Sequence, residues 1–291
     1  MSAALILSLL LASSIIHTFF YFDWKRAIKA GADPNIFFWL SGIFSVLIST
    51  IIYFIFFSEE KISSYILILA FITGAGFALQ AFFTSKAFVK GDFSLVYPLT
   101  RLTPLFTLFI GLIFLKEVLT ITSILGILLI VIGIYTIHIK DIKNIFAPLL
   151  HIREMPSIFA LLAAFVATFY SLSTKLASAS INPFVFVYFS YIFMVICWLP
   201  LLLLRKNSIL SQLKKFPKPI LRICLLDVAS YSLVTAALAL GTLSEVIALR
   251  QMGILFSSFV GIYIFRESYG KFRIASSIFI FIGLVLIALS L

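Results

Sequence analysis

The chain has 291 residues, of which 63% are hydrophobic, 16% aromatic and 11% charged. A soluble domain carries about 25% charged residues, so with a mean hydropathy of +1.19 this composition excludes a soluble enzyme, a disordered chain and a secreted disulfide scaffold. The net charge of +11 sits in short connections between apolar runs, which points to orientation in a membrane rather than to nucleic acid.

A helix crossing a ~30 Å hydrocarbon core takes about 20 apolar residues. Cutting at charges, Gly, Pro and Asn predicts ten spans, in chain order Ser2–Phe22, Pro34–Phe57, Ile62–Phe83, Phe93–Leu115, Leu119–Ile139, Pro156–Leu176, Pro183–Leu204, Pro219–Leu240, Ser244–Phe265 and Phe272–Leu291. Met1 to Ser14 lacks a basic n-region and its apolar run continues to Phe22, so the start reads as a retained span rather than a signal peptide. Pro opens four of the spans, where its missing N–H costs nothing. A transmembrane barrel would show short alternating segments instead. Cys197 and Cys224 both lie in apolar runs and read as small buried hydrophobes. Thr73-Gly74-Ala75-Gly76 in the third span forms a small-residue stripe that permits close helix approach.

The second half repeats the first at an offset of 150 residues. Gly91 and Ser94 meet Gly241 and Ser244, Gly111 meets Gly261, Lys116-Glu117 meets Arg266-Glu267, and Gly133 meets Gly283. Fifteen identities join Ala87–Ile137 to Ala237–Ile287, and Lys25 meets Lys175 at the same offset. The expected architecture is an all-α integral membrane protein of ten transmembrane helices in two inverted five-helix repeats, residues 1–147 and 148–291. An odd number of spans per half turns the halves over, an arrangement used by secondary transporters that bind substrate at mid-membrane between the repeats. Connections after odd-numbered spans, with the span ends that flank them, hold seventeen Lys and Arg, and those after even-numbered spans, counted the same way, hold three, Lys61, Lys116 and Lys175. The basic side is expected in the cytoplasm, with both termini outside a plasma (inner) membrane.

The run from Ala87 through Gly91-Asp92-Phe93-Ser94 to Tyr97-Pro98-Leu99, with Pro104-Leu105 and Leu115-Lys116-Glu117, resembles the fourth helix of EamA-type members of the drug/metabolite transporter superfamily. Phe265-Arg266-Glu267 is similar to the end of that family's ninth helix, and His17, Lys25 and Asp33-Pro34 resemble the opening of one branch. The resemblance implies a transporter, with relatives that handle amino acids, nucleotide sugars, sugar phosphates and drugs.

Ionisable residues at mid-span cost about 2.5–3.5 kcal/mol on insertion scales and usually mark a pathway. Arg101, Asp227 and Arg250 stand out. Counting ~1.5 Å per residue places Arg101 and Asp227 at one depth, and Arg250 farther from Asp227. Arg101 reads either as an ion pair with Asp227 that fixes packing or as an anion clamp, because guanidinium matches carboxylate and phosphate. Tyr97 lies one turn before Arg101, and Pro98 and Pro104 bracket it as a kink or hinge. His17, Gln80 and Gln251 complete the candidate substrate site; the two Gln are also suited to bonding across helices. No Walker loop, zinc cluster or nucleophile elbow occurs, so no cofactor, metal or catalytic residue is expected. The expected partners are a small-molecule substrate and membrane lipid, with no nucleic acid, and monomer and homodimer are both compatible. The reading is a secondary transporter of a small metabolite, amino-acid-like or carrying an anionic group. Its alternatives are a lipophilic-cation or drug exporter using Asp227, and a structural or lipid-handling membrane protein.

Overall fold

The structure is a computed structural model that describes residues 2–90, 93–136, 146, 150–203, 206–256 and 271–291. Its elements, in order, are α1 (Ser2–Lys29), α2 (Pro34–Phe56), α3 (Ser64–Lys90), α4 (Phe93–Thr100), α5 (Thr103–Ile113), α6 (Ile121–Thr136), α7 (Met155–Ser178), α8 (Pro183–Leu203), α9 (Lys206–Lys215), α10 (Pro217–Leu240), α11 (Leu243–Leu249) and α12 (Lys271–Ser290). Helix resumes over 252–256 after a turn at Arg250 and Gln251.

Among the described residues, seven stretches are long and apolar enough to cross a membrane, one of them (Val96–Ile113) bridging the break between α4 and α5. Two shorter apolar helices, Ile121–Thr136 and Ile274–Ser290, fall below that length. Most of the second half of the expected ninth span lies outside the described residues. Two expected spans therefore differ in form: the fourth is two helices, and the ninth is interrupted at Arg250.

Local chemistry sets these boundaries. The Asp33 carboxylate accepts from the amides of Asn35 and Ile36 at 3.0 and 3.2 Å, capping α2 ahead of its Pro34. Within the spans, Thr168, Ser171, Thr174 and Thr235 donate their hydroxyls to carbonyls one turn back, which satisfies polar groups where no water reaches. The α4–α5 break follows from Pro98 inside α4 and Pro104 at the start of α5. Neither can donate to the ladder, and the Arg101 and Leu102 amides donate instead to carbonyls three residues back, Pro98 and Leu99, at 3.2 and 3.4 Å.

Helix α3 lies between α7 and α8. Its small-residue stripe works as the sequence suggests: a Cβ at Gly74 would strike the Ser190 carbonyl, and one at Gly76 would come within 2.8 Å of Tyr170 Cβ. One apolar core joins the start of α1 to α6, α10, α11 and α12 around Leu10, Ile127, Val234 and Ile280. Another joins α1 and α2 to α8, α9 and α10 around Phe37, Trp198 and Ile220. Packed pairs exchange under the 150-residue offset: α3 packs on α7 as α1 packs on α10, and α3 packs on α8 as α2 packs on α10. At the α6–α12 crossing, a Cβ on Gly126 would lie 2.7 Å from the Gly283 carbonyl, and one on Gly133 2.7 Å from the Ser276 carbonyl. Those two contacts also exchange under the offset.

Connections sort by parity. The Asp33 amide, after the first span, donates to Gln212 of α9 at 3.3 Å, after the seventh. On the other parity, the Asn182 amide donates to Glu60 at 2.8 Å and the Leu243 amide to Glu117 at 2.5 Å. Both chain ends join this second group, with Ser290 bonded to Ser123 at 2.6 Å and Ile6 beside Gly241.

Candidate functional site

Four ionisable residues of the spans, His17, Arg101, Asp227 and Arg250, gather near the two helix breaks. Arg101 occupies the α4–α5 break, with its guanidinium 5.3 Å from the centre of the Tyr97 ring. Arg250 occupies the break after α11, with its guanidinium 5.5 Å from the Tyr231 ring centre. A cation over an aromatic face is favoured by the ring quadrupole, more so away from water. His17 of α1 stacks on Phe20 with centroids 5.4 Å apart and lies within electrostatic reach of both arginines. The two breaks thus face a common interior.

Asp227 of α10 accepts a 2.6 Å hydrogen bond from the Tyr191 hydroxyl of α8. Its charged neighbour is Arg250, whereas depth counting favoured Arg101. The count assumes one continuous helix, and α4 ends at Thr100 before Arg101. The break removes Arg101 from the regular 1.5 Å rise, while the second break turns Arg250 toward α10.

Four rings pack beside this pair. Phe77 of α3 meets Tyr170 of α7, Tyr231 of α10 and Tyr191 at centroid distances of 4.7, 4.9 and 6.0 Å. Each tyrosine hydroxyl has a polar partner. Tyr170 donates to Gln80 at 3.2 Å, Tyr231 shares a 2.9 Å bond with Thr174, and Tyr191 holds Asp227. Gln80 therefore bonds across helices as expected, but Gln251 turns back to the Ile247 carbonyl of its own helix at 3.2 Å. With α11 ending at Leu249, that carbonyl is a free acceptor within reach of the amide.

Phe77, Tyr170, Thr174, Tyr191 and Tyr231 are the members that sequence reasoning missed. A signal existed in the helical spacing: Tyr231 follows Asp227 by four residues and Thr174 follows Tyr170 by four, so each pair shares one helix face. Among the described residues, no three His, Cys, Asp or Glu side chains come together. Cys197 and Cys224 are free thiols. A separate cavity of about 850 Å³ lies between α2, α8 and α10, lined by Ile48, Phe56, Phe184, Leu225 and Leu233 among others. It is apolar and does not include the arginines.

Comparison with known proteins fits this picture. A crystal structure superposes with a TM-score of 0.70 at 12% identity, covering 99% of this chain and 98% of the other, which shows a shared fold. The uncharacterized protein MJ1333.1 of Methanocaldococcus jannaschii is 36% identical over 84 residues, which are 29% of this chain and 58% of that relative's length. The model of the EamA-like transporter family matches residues 4–139 and again 155–289. Matched twice along nearly its whole length, the chain belongs to the EamA-like transporter family and is a multi-pass integral membrane protein.

Proposed function

We propose that this protein is a secondary transporter that moves a small organic solute carrying an anionic group by alternating access. Arg250 carries the reading. Among the described residues its guanidinium makes no hydrogen bond or ion pair; it lies over the Tyr231 ring, in the field of Asp227 and within electrostatic reach of His17. A cation held in a membrane interior at that cost is matched by a carboxylate or phosphate arriving with the substrate. Arg101 beside Tyr97 supplies a second positive centre, and the rings of Phe77, Tyr170, Tyr191 and Tyr231 suit an apolar or aromatic remainder.

Ten helices in two inverted repeats account for the exchange of packed pairs under the 150-residue offset and for the two arginines at matched breaks. Discontinuous helices that meet at mid-membrane are where transporters of this build bind substrate. Pro98 and Pro104 serve as the hinge in the first half.

The test is thermal unfolding of detergent-purified protein against amino acids, carboxylates, phosphate esters and lipophilic cations. Binding to the folded state raises the midpoint by mass action, equivalent to about 2.7 kcal/mol at a hundredfold excess over Kd. Anionic or zwitterionic solutes raise it, and Arg250→Gln and Arg101→Ala lose the effect. Unchanged stabilisation in both variants overturns the anion site. One observation favours a second reading: Asp227 beside four aromatic rings also suits a lipophilic cation. Stabilisation by cations alone, lost in Asp227→Asn, would select it.

A further inference from the structure

Helices α1 and α10 pack antiparallel, and three contacts fix their register. Ser13 and Ser230 share a 2.9 Å bond between hydroxyls, and Arg222 donates to Asp23 at 2.6 Å. Just past the helix ends, a Cβ on Gly31 would lie 3.5 Å from Lys215 Nζ. As numbers climb along α1 the partner's numbers fall, so Arg26 comes level with Lys218. Arg222 is 61% exposed while it holds Asp23, which marks the outward side of the seam between the helices. Arg26 follows Asp23 by three residues and Lys218 precedes Arg222 by four, spacings that keep each on that side. Both are exposed.

Toward the membrane centre the same side turns apolar. Phe19 and Ile15 precede Asp23 by four and eight residues on α1, and Leu225 follows Arg222 by three on α10. All three are exposed. Arg26 falls in the last turn of α1, and Lys218 and Arg222 in the first two turns of α10, so the cations stand where a span meets the headgroups. The charge there is one-sided. Asp23 is the sole acid of α1 and answers Arg222. Asp227 is the sole acid of α10 and is held by Tyr191. Asp33, beyond Gly31, accepts from the α2 amides. Among the described residues, Arg26, Lys215 and Lys218 make no ion pair. Charge that only orients a chain acts from anywhere in a connection and does not call for cations gathered over one apolar seam.

We infer that this seam binds an anionic phospholipid. Arg26, Lys215 and Lys218 take the headgroup phosphate, and one acyl chain lies along Ile15, Phe19 and Leu225. Asp23 holds Arg222 at the floor of the headgroup site. Guanidinium and ammonium groups both suit phosphate, and the acyl chain adds apolar burial that a free anion lacks. A zwitterionic lipid brings its own ammonium against the same cations, so the net negative headgroup is preferred. The site lies apart from Arg101 and Arg250 and does not depend on the transport reading.

The test compares phosphatidylglycerol with phosphatidylcholine of the same acyl chains, each titrated into detergent-purified protein. Binding is read from the thermal unfolding midpoint and from lipid retained in native mass spectrometry. A cation beside an anionic headgroup is worth about fivefold in affinity. Arg26→Gln and Lys218→Gln therefore each weaken phosphatidylglycerol about fivefold and leave phosphatidylcholine unchanged. Both side chains are exposed, so the lipid-free midpoint stays that of the parent. Lys86 is the control, an exposed cation near the end of α3, a helix that packs chiefly on α7 and α8. Lys86→Gln keeps the parent's affinity. Equal losses in all three variants, or no preference for phosphatidylglycerol, overturn the site. Inorganic phosphate that stabilises as strongly, with the effect lost in Lys218→Gln, overturns it in favour of a free anion. A dimer in phosphatidylcholine that Leu225→Gln dissociates overturns it in favour of a second copy of this chain.

Discussion

Tyr191 on α8 donates its hydroxyl to Asp227 on α10 at 2.6 Å, which makes a neutral phenol the direct partner of the spans' central carboxylate. Arg250 attracts that carboxylate from farther off, so the acid and the base of the interior are not locked to each other. Under the proposed function, a substrate anion approaches Arg250 without first breaking an ion pair, and the bond to Tyr191 keeps Asp227 in place.

Removing that bond should show in stability. Tyr191→Phe leaves the ring packing with Phe77 intact and strands a carboxylate oxygen, at a cost of about 1–3 kcal/mol. Asp227→Asn keeps an oxygen that can accept from Tyr191 and should cost less. Denaturant unfolding in mixed micelles reads both; a Tyr191→Phe protein as stable as the parent would show that the bond contributes nothing.

The α6–α12 crossing gives a second expectation. A Cβ at Gly283 would lie 2.5 Å from the Gly126 carbonyl and 2.7 Å from Ile130 Cγ1, and one at Gly133 would lie 2.7 Å from the Ser276 carbonyl and 2.6 Å from Ile280 Cγ1. Backbone cannot step aside, so Gly283→Ala and Gly133→Ala should each destabilise by about 1–3 kcal/mol. Because both open the same crossing, the double variant should cost less than the sum. Additive losses in the unfolding midpoint would mean that the two contacts are independent.

Much of the fold was legible because membrane helices announce themselves by length and apolarity, and the repeat by glycines that need close contact. Gly133 and Gly283 recur because each half must pack on the other at that crossing. The breaks were only half legible. Pro98 and Pro104 marked the first, while the second, at Arg250, has no proline and depends on packing that periodicity does not encode. The aromatic partners of the site were hidden among thirty-three Phe and eleven Tyr. Only the convergence of α3, α7, α8 and α10 distinguishes Phe77, Tyr170, Tyr191 and Tyr231 from rings that face lipid. The Arg101–Asp227 pairing failed because residue counting measures depth along an unbroken helix and carries no information on which way a break turns.

Asp23 of α1 and Arg222 of α10 form the ion pair that ties those helices, with Arg222 Nη2 2.6 Å from Asp23 Oδ1. The partners differ in exposure, 6% for Asp23 against 61% for Arg222, so their loss is not symmetrical. Arg222→Ala leaves a buried carboxylate unpaired and should cost about 1–2 kcal/mol, discounted for the exposed guanidinium. Asp23→Asn removes the buried charge and should cost less, and adding it to Arg222→Ala should recover stability. A double variant less stable than Arg222→Ala alone would contradict the account.

The sidedness of the connections yields the last expectation. Asp33 and Gln212 meet on one face, and Glu60 with Asn182 and Glu117 with Leu243 belong to the other parity, with both chain ends. The first face carries seventeen Lys and Arg in its connections and the span ends that flank them, against three on the second. Positive charge is retained on the cytoplasmic side during insertion, and the bias acts through short connections such as these. A cysteine introduced at Ser2 or Leu291 should therefore react with an impermeant reagent applied to intact cells. One at Lys214, on exposed α9, should react only after permeabilisation. The opposite pattern would reverse the proposed orientation while leaving the grouping of connections intact, because that grouping rests on hydrogen bonds rather than on charge.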